Sequence, residues 1–223
     1  KPYFPAGSGM VPEAFAIALM ICGPNKSVEE YIACFKENVT WVKGMKTAER
    51  RLAFKRGELT GTRENPATYK KHVEPDENAE LWFHHGLLQP DGSHADDTNY
   101  PAGYQVEQIF EARWGVEPSG EFYDTYKLVK SFRDGLQKAL WVNKDNPNRD
   151  KLAAALTAMS KDPNAIAALI RKNGDYDWYI GEAGDAQRDK LLTFVTASTL
   201  QNLVKFNSEA LGLASVYKEG LVD

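Results

Sequence analysis

The chain is 223 residues long, 43% hydrophobic and 26% charged, with a net charge of −4. That is the composition of a globular protein with enough length for a real core, and it excludes a general nucleic-acid binder, which needs a concentrated basic surface. The longest apolar run, residues 14–22, is about half of the roughly 20 residues a membrane span requires.

Residues 2–5 read as a short extended piece running into Ala6-Gly7-Ser8-Gly9. A helix is predicted from about Val11, with Pro12 and Glu13 in its first turn, where a missing N–H and a negative charge are both tolerated. Its interior, AFAIALMIC, is apolar all round, which predicts deep burial, and Gly23-Pro24 ends it. Ser27 and Glu30 form a capping box for a second helix.

Residues 39–66 organise the reading. A β-branched and aromatic run, VTWV, closes at Lys43-Gly44; a helix follows, stopped by Gly57; residues 58–62 read as a second strand. Strand, helix, strand in so short a stretch predicts a βαβ unit, with residues 40–42 and 58–62 parallel in one sheet. The loops after both strands then open on one edge, where open α/β sheets bind ligands.

Asn65-Pro66 opens a short helix, residues 79–83 form another candidate strand, and the turn formers of residues 84–101 predict a long surface loop. Helices are expected at 106–114, 119–136, 149–159, 162–173 and near the C-terminus. A strand is expected at 139–142 and an extended piece at 176–180. The expectation is α/β first and mostly helical later: residues 1–100 an α/β ligand-binding lobe and residues 101–223 a helix-rich segment.

Gly7, Ser8 and Gly9 let the backbone approach a ligand, and the N–H groups of the following helix start favour an anion. The same residues also suit a tight turn with no ligand. The third glycine of a dinucleotide fingerprint and the Lys-Ser/Thr of a P-loop are missing. Lys43, Gly44 and Arg63, expected on the same edge, favour carboxylate binding. Arg63 has a competing reading, an Arg63–Glu64 pair that caps the helix at Asn65.

His84, His85, His94, Asp96 and Asp97 carry metal-ligand chemistry, but adjacent histidines on a strand face opposite ways and no HExxH is present. Residues 144–148 lack the glycine and glutamate of a calcium loop. No GxSxG or CxxC occurs. No metal, cofactor or catalytic residue is assigned, and the chain is not read as an enzyme. Cys22 and Cys34 fit two buried thiols in a cytosolic protein or a disulfide in an exported one.

WVKG (41–44), LAFKRGELTG (52–61) and DKLAAALTAMSKDPNAIAALIRKNG (150–174) resemble the aromatic-Lys-Gly turn, the helix ending in Arg-Gly-Glu and the Asp-Pro-jointed helix pair of the tripartite tricarboxylate transporter receptors, the Bug-type solute-binding proteins. The resemblance implies a type II periplasmic-binding-protein-like lobe with a parallel-rich sheet. It also implies a periplasmic protein that captures a small carboxylate through glycine-bearing loops at Gly7–Gly9 and Lys43-Gly44 and hands it to membrane transporter subunits. Under it, Cys22 and Cys34 pair. Thr60 stands where the family has Asp, and VNKDNP replaces its Ala-Pro-Ala-Gly-Thr-Pro. The family's first half-lobe is not found ahead of Lys1, which leaves two expectations: a trimmed chain, or a structural or interaction subunit without a ligand whose fold another chain completes.

Overall fold

The computed structural model describes residues 1–5, 11–136, 142–143, 145–173 and 179–213. All but Val142 of the expected strand at 139–142, most of the extended piece at 176–180 and the Gly7-Ser8-Gly9 loop lie outside the described residues.

Helix accounts for 55% of the described residues and strand for 6%, so the parallel-rich sheet lobe is replaced by a mostly helical protein with two tiny sheets. β1 (Tyr3–Pro5) pairs in parallel with β2 (Thr40–Val42), Phe4 opposite Trp41. The connection between them is α1 (Pro12–Cys22) and α2 (Val28–Asn38). The parallel crossover is therefore real, but its partner strand lies upstream of β2 rather than downstream.

Residues 58–62 do not form a strand. The Thr60 N–H donates to the Tyr3 carbonyl at 2.8 Å, but the Tyr3 N–H donates to the Thr60 hydroxyl at 2.9 Å rather than to a backbone carbonyl. A ladder needs backbone groups on both sides, so a side chain substituting for one carbonyl ends it after a single bond. Gly61 permits the approach: a Cβ there would stand 2.6 Å from the Phe4 ring.

All residues of α1 except Ile21 are buried, as its all-round apolarity requires. The Ser27–Glu30 capping box of α2 is formed in both directions. Cys22, at the end of α1, is joined to Cys34 of α2 by a disulfide with Cα atoms 6.0 Å apart. α3 (Thr47–Lys55) and α4 (Pro66–His72) follow. Residues 79–83 are not a strand; they lead to a single bridge between His84 and Gln105. Inside the expected surface loop a hairpin forms from β3 (Leu87–Leu88) and β4 (His94–Ala95).

The rest is helical: α5 (Val106–Trp114), α6 (Glu121–Leu136), α7 (Arg149–Met159), α8 (Pro163–Asn173), α9 (Glu182–Leu191) and, after a short 3-10 turn, α10 (Ala197–Glu209). α6 packs against α1, α9 and α10. The core is stitched by rings from four helices: Phe15 lies 4.5 Å from Phe206, and Phe122 lies 5.1 Å from Phe206 and 4.0 Å from Tyr31. One buried cluster thus draws on residues from both sides of position 100. No helix among the described residues is long and apolar enough to cross a membrane.

Candidate functional site

Between the β1 end of α1, the 60–66 loop, the 81–89 segment and α6 lies an open cleft of about 1930 Å³, which α7 and α9 border on the far side. Glu13 stands at its inner corner. Pro12 starts α1 and places Glu13 in the first turn, where its carboxylate meets two arginines from distant parts of the chain. Arg63 Nη1 donates to Oε2 at 3.3 Å and Arg133 of α6 donates to Oε1. The Glu13 side chain is 10% exposed, and those of Arg63 and Arg133 are 25% and 27% exposed. Burial pushes the Glu13 carboxyl up, but the charges of Arg133 and Arg63, with His85 behind them, outweigh it and hold the group well below the usual carboxylate range.

Two more arginines stand behind Arg63. Arg51 makes a bidentate pair with Glu64 at 3.0 and 3.1 Å. Arg50 is buried, donates to the Thr47 hydroxyl at 3.2 Å, and has no hydrogen-bond partner at Nε among the described residues. Burial, then the nearby Arg63 charge, pull its pKa down. Asp97 belongs to the same surroundings, since its charge acts on Tyr100 together with those of Arg133 and Glu13.

The histidines of the 81–95 region diverge, as alternation along an extended chain demands. His84 stacks on Tyr100 at 5.3 Å and 8°, and its Nδ1 accepts the Gly86 N–H at 3.1 Å. His85 turns the other way, with Nδ1 2.8 Å from the Tyr126 hydroxyl. His94 is sealed against Tyr123, Tyr126 and Glu107. Burial, with Lys130 and Lys127 nearby, depresses His94 to about 3, so its 3.3 Å approach to Glu107 is a contact of a neutral imidazole and not an ion pair. Burial likewise lowers His85 and raises Glu107. Lys130, buried in α6, donates to the Gly86 carbonyl at 2.6 Å. Among the described residues no group of three or more His, Cys, Asp or Glu side chains is arranged to hold a metal ion.

The expected constellation is only partly assembled. Arg63 lines the cleft. Lys43 does not: its ammonium donates to the Gly212 carbonyl at 2.7 Å and borders a separate hollow of about 400 Å³ beside Trp41 and Phe35. Gly44 is exposed at φ +87°, with open space around it. The correction has a simple cause: β2 ends away from the corner where residues 60–63 turn in, so the two loops do not share an opening. The Arg63–Glu64 cap is also replaced, since Glu64 goes to Arg51 and Asn65 caps α4 itself, accepting the Thr68 N–H at 2.9 Å. Glu13 and Arg133 were not found from sequence. Glu13 reads as an ordinary first-turn acid, and Arg133 as the exposed face of an amphipathic helix.

Comparison with protein-family models, with curated proteins and with solved structures finds no match to this chain.

Proposed function

We propose that the chain is a binding protein for a small organic carboxylate, held at the Glu13 corner of the cleft, and that it performs no chemical step. The observation that carries this reading is the arginine cluster. Glu13, Arg63 and Arg133, brought from three parts of the chain, meet at the inner end of a cleft large enough for a small molecule, with the two arginine side chains about a quarter exposed. Hydrogen bonds from guanidinium to carboxylate contribute roughly 1.5–3 kcal/mol net. The Cys22–Cys34 bridge supports an oxidising compartment such as the periplasm. Delivery to a membrane transporter is what the sequence resemblance implies.

Calorimetry with mono- and dicarboxylates tests the reading. Arg63→Gln is expected to weaken binding about tenfold or more, on the scale of one lost charge-assisted bond. Lys43→Gln, turned towards Gly212, is expected to leave it unchanged. Binding that ignores Arg63 sinks the proposal. One feature favours the interaction-subunit reading instead: none of the eleven residues of α7 is buried, although Leu152, Leu156 and Met159 line the cleft. A cleft that binds no carboxylate, in a chain that sediments as a complex, selects that alternative.

A further inference from the structure

Resting on the carboxylate reading, we infer that the ligand is an amphipathic carboxylate, a medium-chain acyl acid of the octanoate kind. Its head group sits at the Glu13 corner and its chain lies along the apolar length of the cleft. Two separate helices lead there.

The first is α1. Glu13, Ile17 and Ile21 all line the cleft. At spacings of four they share one face of the helix, and 1.5 Å per residue carries that face about 12 Å from Glu13 to Ile21. The face is polar at one end only. Glu13 meets Arg63 and Arg133 there, and Ile17 and Ile21 offer hydrocarbon beyond it. Ile21 is also the one residue of α1 that is not buried. An otherwise sealed apolar helix thus opens to the cleft along the line that leaves the arginine corner.

The second is α7. Leu152, Leu156 and Met159, at spacings of four and three, form one face of that helix over about 10 Å, and all three line the cleft. None is buried, and Leu152 is 39% exposed. An apolar face on an amphipathic helix is normally packed against a neighbour, and here it borders the cleft instead. Trp82, 38% exposed and stacked on Phe4 at 5.7 Å, adds a third apolar surface to the same space. At about 1930 Å³ the open cleft exceeds the roughly 300–1,000 Å³ of a drug-sized pocket, so an acyl chain has room. A short hydrophilic acid fills the corner and leaves these surfaces in water. A chain attached to the same carboxylate covers them, and each methylene it buries raises affinity about twofold to fourfold.

Titration calorimetry on the intact chain with butyrate, octanoate and 1-octanol, each kept in free solution below aggregation, reads the chain and the head group separately. Octanoate is expected to bind about tenfold or more tighter than butyrate, through its added methylenes. It is also expected to bind about tenfold or more tighter than 1-octanol, which lacks the charge. Leu152→Gln/Leu156→Gln keeps side-chain length and helix propensity on a helix with no buried residue, so folding is not at stake. This variant is expected to cut the octanoate-to-butyrate ratio about threefold or more and to leave butyrate binding unchanged. A ratio that the variant leaves intact overturns the place given to α7. Equal affinity for butyrate and octanoate overturns the acyl assignment while leaving the carboxylate reading in place. 1-Octanol binding as tightly as octanoate overturns the carboxylate reading, and the acid named here with it. No binding by any of the three overturns both.

Discussion

Glu13 and Arg133 are 120 residues apart in sequence and hydrogen-bonded in space. The contact ties the first turn of α1 to the last part of α6 and, through the second Glu13 oxygen, to Arg63. It is at once a structural clamp between two core helices and the inner corner of the cleft.

The clamp sets an acid sensitivity. The folded-state pKa of Glu13 is depressed from 4.5, because Arg133, Arg63 and His85 together outweigh burial. A depressed carboxyl contributes stability that is present above its unfolded value and lost as pH falls through the folded one. Glu13→Gln is expected to cost on the order of 3 kcal/mol at neutral pH, the scale of breaking one side of a buried pair. The gap to the parent protein should close as pH falls below 4.5. Denaturant midpoints across that range measure it, and a gap independent of pH contradicts the assignment.

The Cys22–Cys34 bridge closes a short loop, its ends 12 residues apart, between two helices that already pack. On the chain-entropy scale it stabilises by about 3 kcal/mol. Reductant should lower the unfolding midpoint accordingly, and the Cys22→Ala/Cys34→Ala variant should match the reduced protein and be insensitive to reductant. Two thiols that alkylate freely without reductant rule the bridge out.

His94 offers a third check. Its imidazole is held neutral down to about 3 by burial and by Lys130 and Lys127, with Glu107 and the hydroxyl of Tyr123 on the other side. The unfolded chain takes up that proton first, near 6.5, so this group's contribution makes the fold less stable as pH drops from 6.5 towards 3. Ring resonances of His94 in NMR should stay unprotonated throughout that window as long as the chain is folded. Titration near 6.5 would show the pocket to be open to water.

What the sequence determined by itself was local. The all-round apolar run from Ala14 to Cys22 demanded a buried helix, Ser27 and Glu30 specified where the next one starts, and Gly23 marked the break between them. Each depends on residues within a few positions of one another, so a linear reading captures them. The tertiary structure decided which strand pairs with Thr40–Val42, where Lys43 points and what Glu13 is for. β1 takes the place beside Thr40–Val42 with a backbone ladder, and residues 58–62 lie against Tyr3 of β1 instead, where Thr60 contributes a hydroxyl in place of a carbonyl. Arg63 was a candidate only because it follows residues 58–62, read as a strand whose loop opens on the ligand edge. Its meaning came from Glu13 and Arg133, 50 and 120 residues across the Glu13 contacts, brought together by the packing of α1 against α6 and not by any spacing along the chain.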